Sequence, residues 1–125
     1  AAGMIRAGAA ETGWQVARAL LDTAAAFDGR PPELFAGLDR AQTPFPVPYP
    51  TSSRPQAWAA SASLMLMTAV LGIKPEPESK RLVSNAEHVP EWVDGVTIHG
   101  VPAFGRRWNV RASGDSVDVV PAARS

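Results

Sequence analysis

The chain has 125 residues, 46% of them hydrophobic and 19% charged, which allows at most one domain of ordinary globular composition. Twelve basic residues cancel twelve acidic ones, so no broad attraction to nucleic acid or to an anionic membrane is expected. The absence of cysteine excludes disulfides and thiolate metal sites and fits a reducing compartment.

The first residues, AAGMIRAGAAETGW, lack a basic region followed by an uninterrupted apolar core. No secretory leader is therefore expected, and the expected location is cytoplasmic. Residues 9–27 predict a helix. Trp14, Ala17, Leu20, Leu21, Ala24 and Phe27 recur at steps of three and four, with Glu11, Gln15, Arg18 and Asp22 opposite them. Gly29 supplies a stop, with Pro31 just beyond.

Residues 29–58, GRPPELFAGLDRAQTPFPVPYPTSSRPQAW, hold more than half of the twelve prolines and show no helical or strand period. Such a segment is either a functional loop or a disordered one. Within it Glu33 stands between Pro31-Pro32 and Leu34-Phe35. Proline fixes its own φ and biases the preceding residue to extended geometry. The carboxylate is thus carried on a stiff backbone in partly apolar surroundings. That suits general acid or base work, where small misplacements are costly. An ordinary rigid connector would read the same way.

Residues 55–71 predict a second helix, with Ser53-Arg54-Pro55-Gln56 as a capping box and Gly72 as terminator. No charged residue occurs from Pro55 through Ile73, which predicts burial on several sides. The length reaches the roughly 17–25 residues of a membrane span. However, Gln56, Ser61, Ser63 and Thr68 dilute the apolar run, and no aromatic or basic belt closes it. A membrane span is therefore not expected. Residues 74–91 are polar and proline-punctuated, and predict a surface connection with a short helical turn near residues 78–83. From Trp92 the period becomes two: Val96 and Ile98, Trp108 and Val110, then Val117 and Val119 alternate with polar neighbours. Ser113-Gly114-Asp115 marks a turn. Three short antiparallel strands are expected.

The domain reading is thus a helical segment over residues 1–91, with its loop at 29–54, and a strand cap over residues 92–125. Two helices and a three-stranded tail cannot cover a helix that is apolar all round. Either self-association into a homo-oligomer or cover from a larger polypeptide is expected.

Glu33 is the sharpest candidate for chemistry. Glycoside hydrolysis needs a second carboxylate. The nearest in sequence are Asp28, which reads as a helix end, and Asp39, which reads as an ion pair with Arg40. Phe35, Phe45, Tyr49 and Trp58 offer rings for stacking on sugar faces, or for holding the loop on the helices. Arg40 and Arg54 could bind hydroxyls or orient a carboxylate. His88 and His99 lie eleven residues apart with no further ligand at metal spacing, so no metal and no cofactor is expected.

Three motifs occur in order: Pro32-Glu33-Leu34-Phe35-Ala36-Gly37, Pro46-Val47-Pro48-Tyr49-Pro50, and Pro55-Gln56-Ala57-Trp58-Ala59-Ala60. Together they resemble the C-terminal part of bacterial amylo-α-1,6-glucosidases, the glycogen-debranching-like glycoside hydrolases. The resemblance covers nearly the whole chain, although Pro31 stands where that family usually has leucine. It implies a mainly α fold: the last helices of a partial (α/α)6 toroid, with a small C-terminal antiparallel β cluster. It also implies that Glu33 is the general base of an inverting reaction on α-glucosidic linkages. Phe35, Arg40, Tyr49, Gln56 and Trp58 would then contact an α-glucan or oligosaccharide substrate. The general acid of such enzymes, an aspartate, lies well upstream of these motifs, so the chain alone is expected to be inactive. A non-catalytic carbohydrate-binding or assembly module, and a helical protein-interaction module, are the alternatives.

Overall fold

The computed structural model describes residues 1–39, 41–53 and 56–123. Among them are helices α1 (Ala2–Arg6), α2 (Ala10–Ala25) and α3 (Ala57–Val70). Five strands follow: β1 (Ile73–Glu76), β2 (Arg81–Ser84), β3 (Thr97–Ala103), β4 (Arg106–Ser113) and β5 (Ser116–Pro121). The structure is 32% helix and 26% strand, with the strands in two antiparallel sheets. This overturns the expectation of a mainly α fold made of the last helices of an (α/α)6 toroid. Two long helices are followed by a second half whose alternating β-branched residues favour strands.

The chain divides into two compact units, Ala1–Met67 and Thr68–Ser125. In the first, α2 buries Trp14, Ala17 and Ala24 of the stripe read from its period, and Phe27 just past its end, whereas Leu21 is half-buried and Leu20 is exposed. The short helix α1 packs on α2. Gly13 permits this, since a Cβ there would lie 2.6 Å from Ile5 Cγ1. The outward side of α2 leaves Val16 and Leu20 exposed. Ala59 and Leu66 of α3 are buried, whereas Trp58 and Met65 are more than half exposed. No helix among the described residues is long and apolar enough to cross a membrane.

In the second unit, β3, β4 and β5 form a meander in that order. Trp108, Val110 and Ala112 of β4 are buried, while Arg107 and Arg111 point the other way. This is the period-two pattern of a sheet with one covered face. Trp108 Nε1–H donates to the Ala103 carbonyl at 3.2 Å, satisfying the indole inside the core. Leu82, Val89 and Val93 are buried in the same unit, and β2 lies beside β5.

Residues 74–91 depart from expectation. In place of a helical turn near 78–83, β1 and β2 pair as a hairpin from Ile73↔Ser84 to Glu76↔Arg81. β1 is exposed along Lys74, Pro75 and Glu76, so it carries no alternation to read. Proline is tolerated there because the strand is an edge. The hairpin is tied back to the end of α3. Ser84 Oγ–H donates to the Leu71 carbonyl (2.7 Å) and Asn85 N–H to that of Gly72 (3.0 Å). Gly72 takes φ 61°, and a Cβ there would lie 2.5 Å from the Ala86 nitrogen, so only glycine fits this junction.

A bulge interrupts the pairing of β3 with β4 between Ile98 and Val101. Side chains of β4 hold it. Gly100 N–H donates to Asn109 Oδ1 at 3.1 Å, and Arg107 Nη1–H donates to the Gly100 carbonyl at 3.0 Å.

Candidate functional site

Residues 29–39 and 41–53 of the first unit form a loop that folds back on itself. Ala36 N–H donates to the Val47 carbonyl, and Tyr49 N–H to that of Leu34, both at 2.9 Å. Phe35 and Pro48 stand opposite each other as an antiparallel bridge. Prolines at 44, 46, 48 and 50 cannot donate to a ladder. Donation from this arm therefore falls to alternate residues, and Tyr49 supplies it to Leu34. The alternate spacing of these prolines matches the pairing register, as expected of an ordered loop rather than a disordered one.

Glu33 sits at the upstream end of this miniature ladder. Pro31 and Pro32 are buried, Glu33 is half-buried and Leu34 is exposed. Glu33 N–H donates to the Ser53 carbonyl at 3.3 Å, and Leu34 N–H to Ser52 Oγ at 3.0 Å. The backbone on both sides of the carboxylate is thereby fixed. The Glu33 carboxylate itself enters no hydrogen bond or ion pair with the other described residues, which leaves its oxygens available to accept from a ligand or water.

Of the neighbouring acids, Asp39 is committed locally. Asp28 adopts a left-handed backbone conformation (φ 53°) just past the end of α2. Asp39 Oδ1 accepts from Ala41 N–H at 2.8 Å, and its carbonyl accepts from the Gln42 and Thr43 amides. Its partner read from sequence, Arg40, lies outside the described residues, as do Arg54 and Pro55.

Phe35 turns toward the helix: its ring centroid is 5.8 Å from that of Phe27 at an interplanar angle of 53°. With Leu20, Leu38, Phe45 and Val47 it walls a small cleft of about 170 Å³ between α2 and the loop. Glu33 is not in that wall. Tyr49 is half exposed, and its backbone pairs with Leu34, the residue after Glu33. Trp58 is 55% exposed on the first turn of α3, and the Gln56 carbonyl accepts the Ala60 amide at 3.1 Å. Glu33, Phe35 and Tyr49 thus belong to one backbone ladder, while Gln56 and Trp58 belong to the start of α3. The capping box read at Ser53-Arg54-Pro55-Gln56 includes Arg54 and Pro55, which lie outside the described residues; the Ser53 carbonyl accepts from Glu33 N–H. Sequence reasoning missed the part played by Ser52, because a serine two residues after Pro50 does not by itself show that its side chain replaces a backbone acceptor. No cluster of three or more His, Asp or Glu placed to hold a metal occurs among the described residues.

No protein-family model matches the chain, and no curated protein or solved structure is significantly similar to it.

Proposed function

We propose that the chain is the base-bearing C-terminal portion of a glycoside hydrolase acting on α-glucosidic linkages by inversion, with Glu33 as the general base. The observation that supports this most directly is the setting of Glu33. Its backbone is held on both sides while its carboxylate is left without a bond to the other described residues. A general base needs this combination: a fixed position and free oxygens to take a proton from water. The three ordered motifs around Glu33, Tyr49 and Trp58 supply the substrate class. Inversion needs a partner acid about 6.5–9.5 Å from the base, with the attacking water between them. Asp39 accepts a local hydrogen bond, and the resemblance places the acid well upstream of these motifs, so on this reading the acid comes from outside the chain, which alone binds but does not hydrolyse.

The exposed rings of Phe45, Tyr49 and Trp58 also favour a second reading, a carbohydrate-binding module without catalysis. The two separate in one pair of measurements. Malto-oligosaccharide binding to the chain is followed by NMR, and hydrolysis is assayed in a polypeptide that also supplies the acid. Binding together with turnover that is lost in Glu33→Gln supports the hydrolase. Binding with turnover indifferent to Glu33 supports the binding module. An absence of binding sinks both.

A further inference from the structure

The ladder that carries Glu33 has a gap in its backbone pairing, and one hydroxyl fills it. The two residues of a hydrogen-bonded antiparallel pair exchange two bonds, each amide donating to the other's carbonyl. Leu34 and Tyr49 make only one of them, Tyr49 N–H to the Leu34 carbonyl. In place of the return bond, the Tyr49 carbonyl accepts at 2.9 Å from Ser52 N–H, which closes a turn with Pro50 at its second position. The Leu34 amide is left without its ladder acceptor, and Ser52 Oγ takes that place at 3.0 Å. The residue whose amide closes the turn thus repairs, with its side chain, the bond that the turn removes.

We propose that Ser52 is the positioning residue for Glu33. Its hydroxyl fixes the peptide that links Glu33 to Leu34, and through it the direction of the Glu33 carboxylate. This rests on the reading of Glu33 as general base. The chemistry selects the side chain. The acceptor must reach the Leu34 amide from a residue whose own amide is already committed, so a short hydroxyl suits and a methyl group supplies nothing. Ser53 acts differently, since only its backbone carbonyl reaches Glu33. Two adjacent serines therefore have opposite sensitivities.

The test uses the full 125-residue chain, labelled for NMR, with hydrogen exchange and backbone relaxation as readouts. In Ser52→Ala the Leu34 amide should exchange about five- to tenfold faster, the loss expected for one solvent-accessible hydrogen bond. Order should fall at Glu33 and Leu34 but not along α2. Ser52→Thr should restore both readouts, and Ser53→Ala should leave both unchanged. Unaltered exchange and order in Ser52→Ala, or equal effects of Ser52→Ala and Ser53→Ala, would overturn the proposal. If Ser52→Ala unfolds, failure of Ser52→Thr to keep Leu34 protected overturns it, and retained protection supports it. Titration of the unmodified chain with maltotriose tests the underlying reading separately. The absence of any response at Glu33 and Tyr49 would sink the hydrolase assignment while leaving the exchange result interpretable.

Discussion

Glu33 and Trp108 are the two side chains on which most depends, and they are used in opposite ways. Glu33 has its backbone held, and its carboxylate makes no hydrogen bond or ion pair with the other described residues. If it is the base, Glu33→Gln keeps the shape and removes the proton acceptor. Turnover in a polypeptide that also carries the acid should fall by about two to four orders of magnitude, with the dissociation constant for malto-oligosaccharide little changed. Steady-state kinetics beside calorimetry check this. Trp108 is 1% exposed, and its indole is satisfied by the Ala103 carbonyl. Trp108→Ala should cost about 3–5 kcal/mol, read as a drop in the denaturation midpoint.

Among the elements, those with a strong period were legible. The stripe of Trp14, Ala17, Ala24 and Phe27 gave α2, and the alternation from Val96 to Val119 gave β3 to β5. The elements missed are those whose cause is not periodic. α1 is five residues long and depends on the space left by Gly13. β1 has one half-buried residue, Ile73, followed by three exposed ones that include a proline. At the site, Glu33 was legible from its neighbours. Ser52 was not, because its role arises from a carbonyl diverted into a turn, and no spacing rule carries that. The bulge in β3 is similar: the alternation through Ile98 gave the strand but not the extra residue. Gly100 there takes φ 72°, so Gly100→Ala should cost roughly 1–3 kcal/mol. Asn109→Ala should cost less, about 0.5–1.5 kcal/mol for one hydrogen bond. Chemical denaturation of both variants would check the order, and a larger loss for Asn109→Ala would contradict this account of the bulge.

For the whole molecule, charge and exposed apolar surface act together. The formal net charge is zero at pH 7, while Trp58, Met65, Phe45 and Tyr49 are each at least half exposed. Nothing then opposes association of apolar surfaces at neutral pH. Solubility should pass through a minimum near pH 7 and rise on either side. Met65→Lys should relieve the minimum without lowering thermal stability, since its site is already solvated. Light scattering across pH, with and without the substitution, checks both.

The junction of α3 with the β1–β2 hairpin has a consequence for lengthening the chain. Leu71 and Gly72 are bonded to Ser84 and Asn85, so the two ends of the hairpin are held by its base, independently of its tip. The tip turns at Pro77–Lys80, and every residue there is exposed. Doubling such a loop costs only about 0.6 kcal/mol of closure entropy. An epitope or small domain grafted between Glu78 and Ser79 should therefore leave both the protein beneath it and its thermal midpoint nearly unchanged. The same insert beside Gly72, where no added atom fits, should not be accommodated.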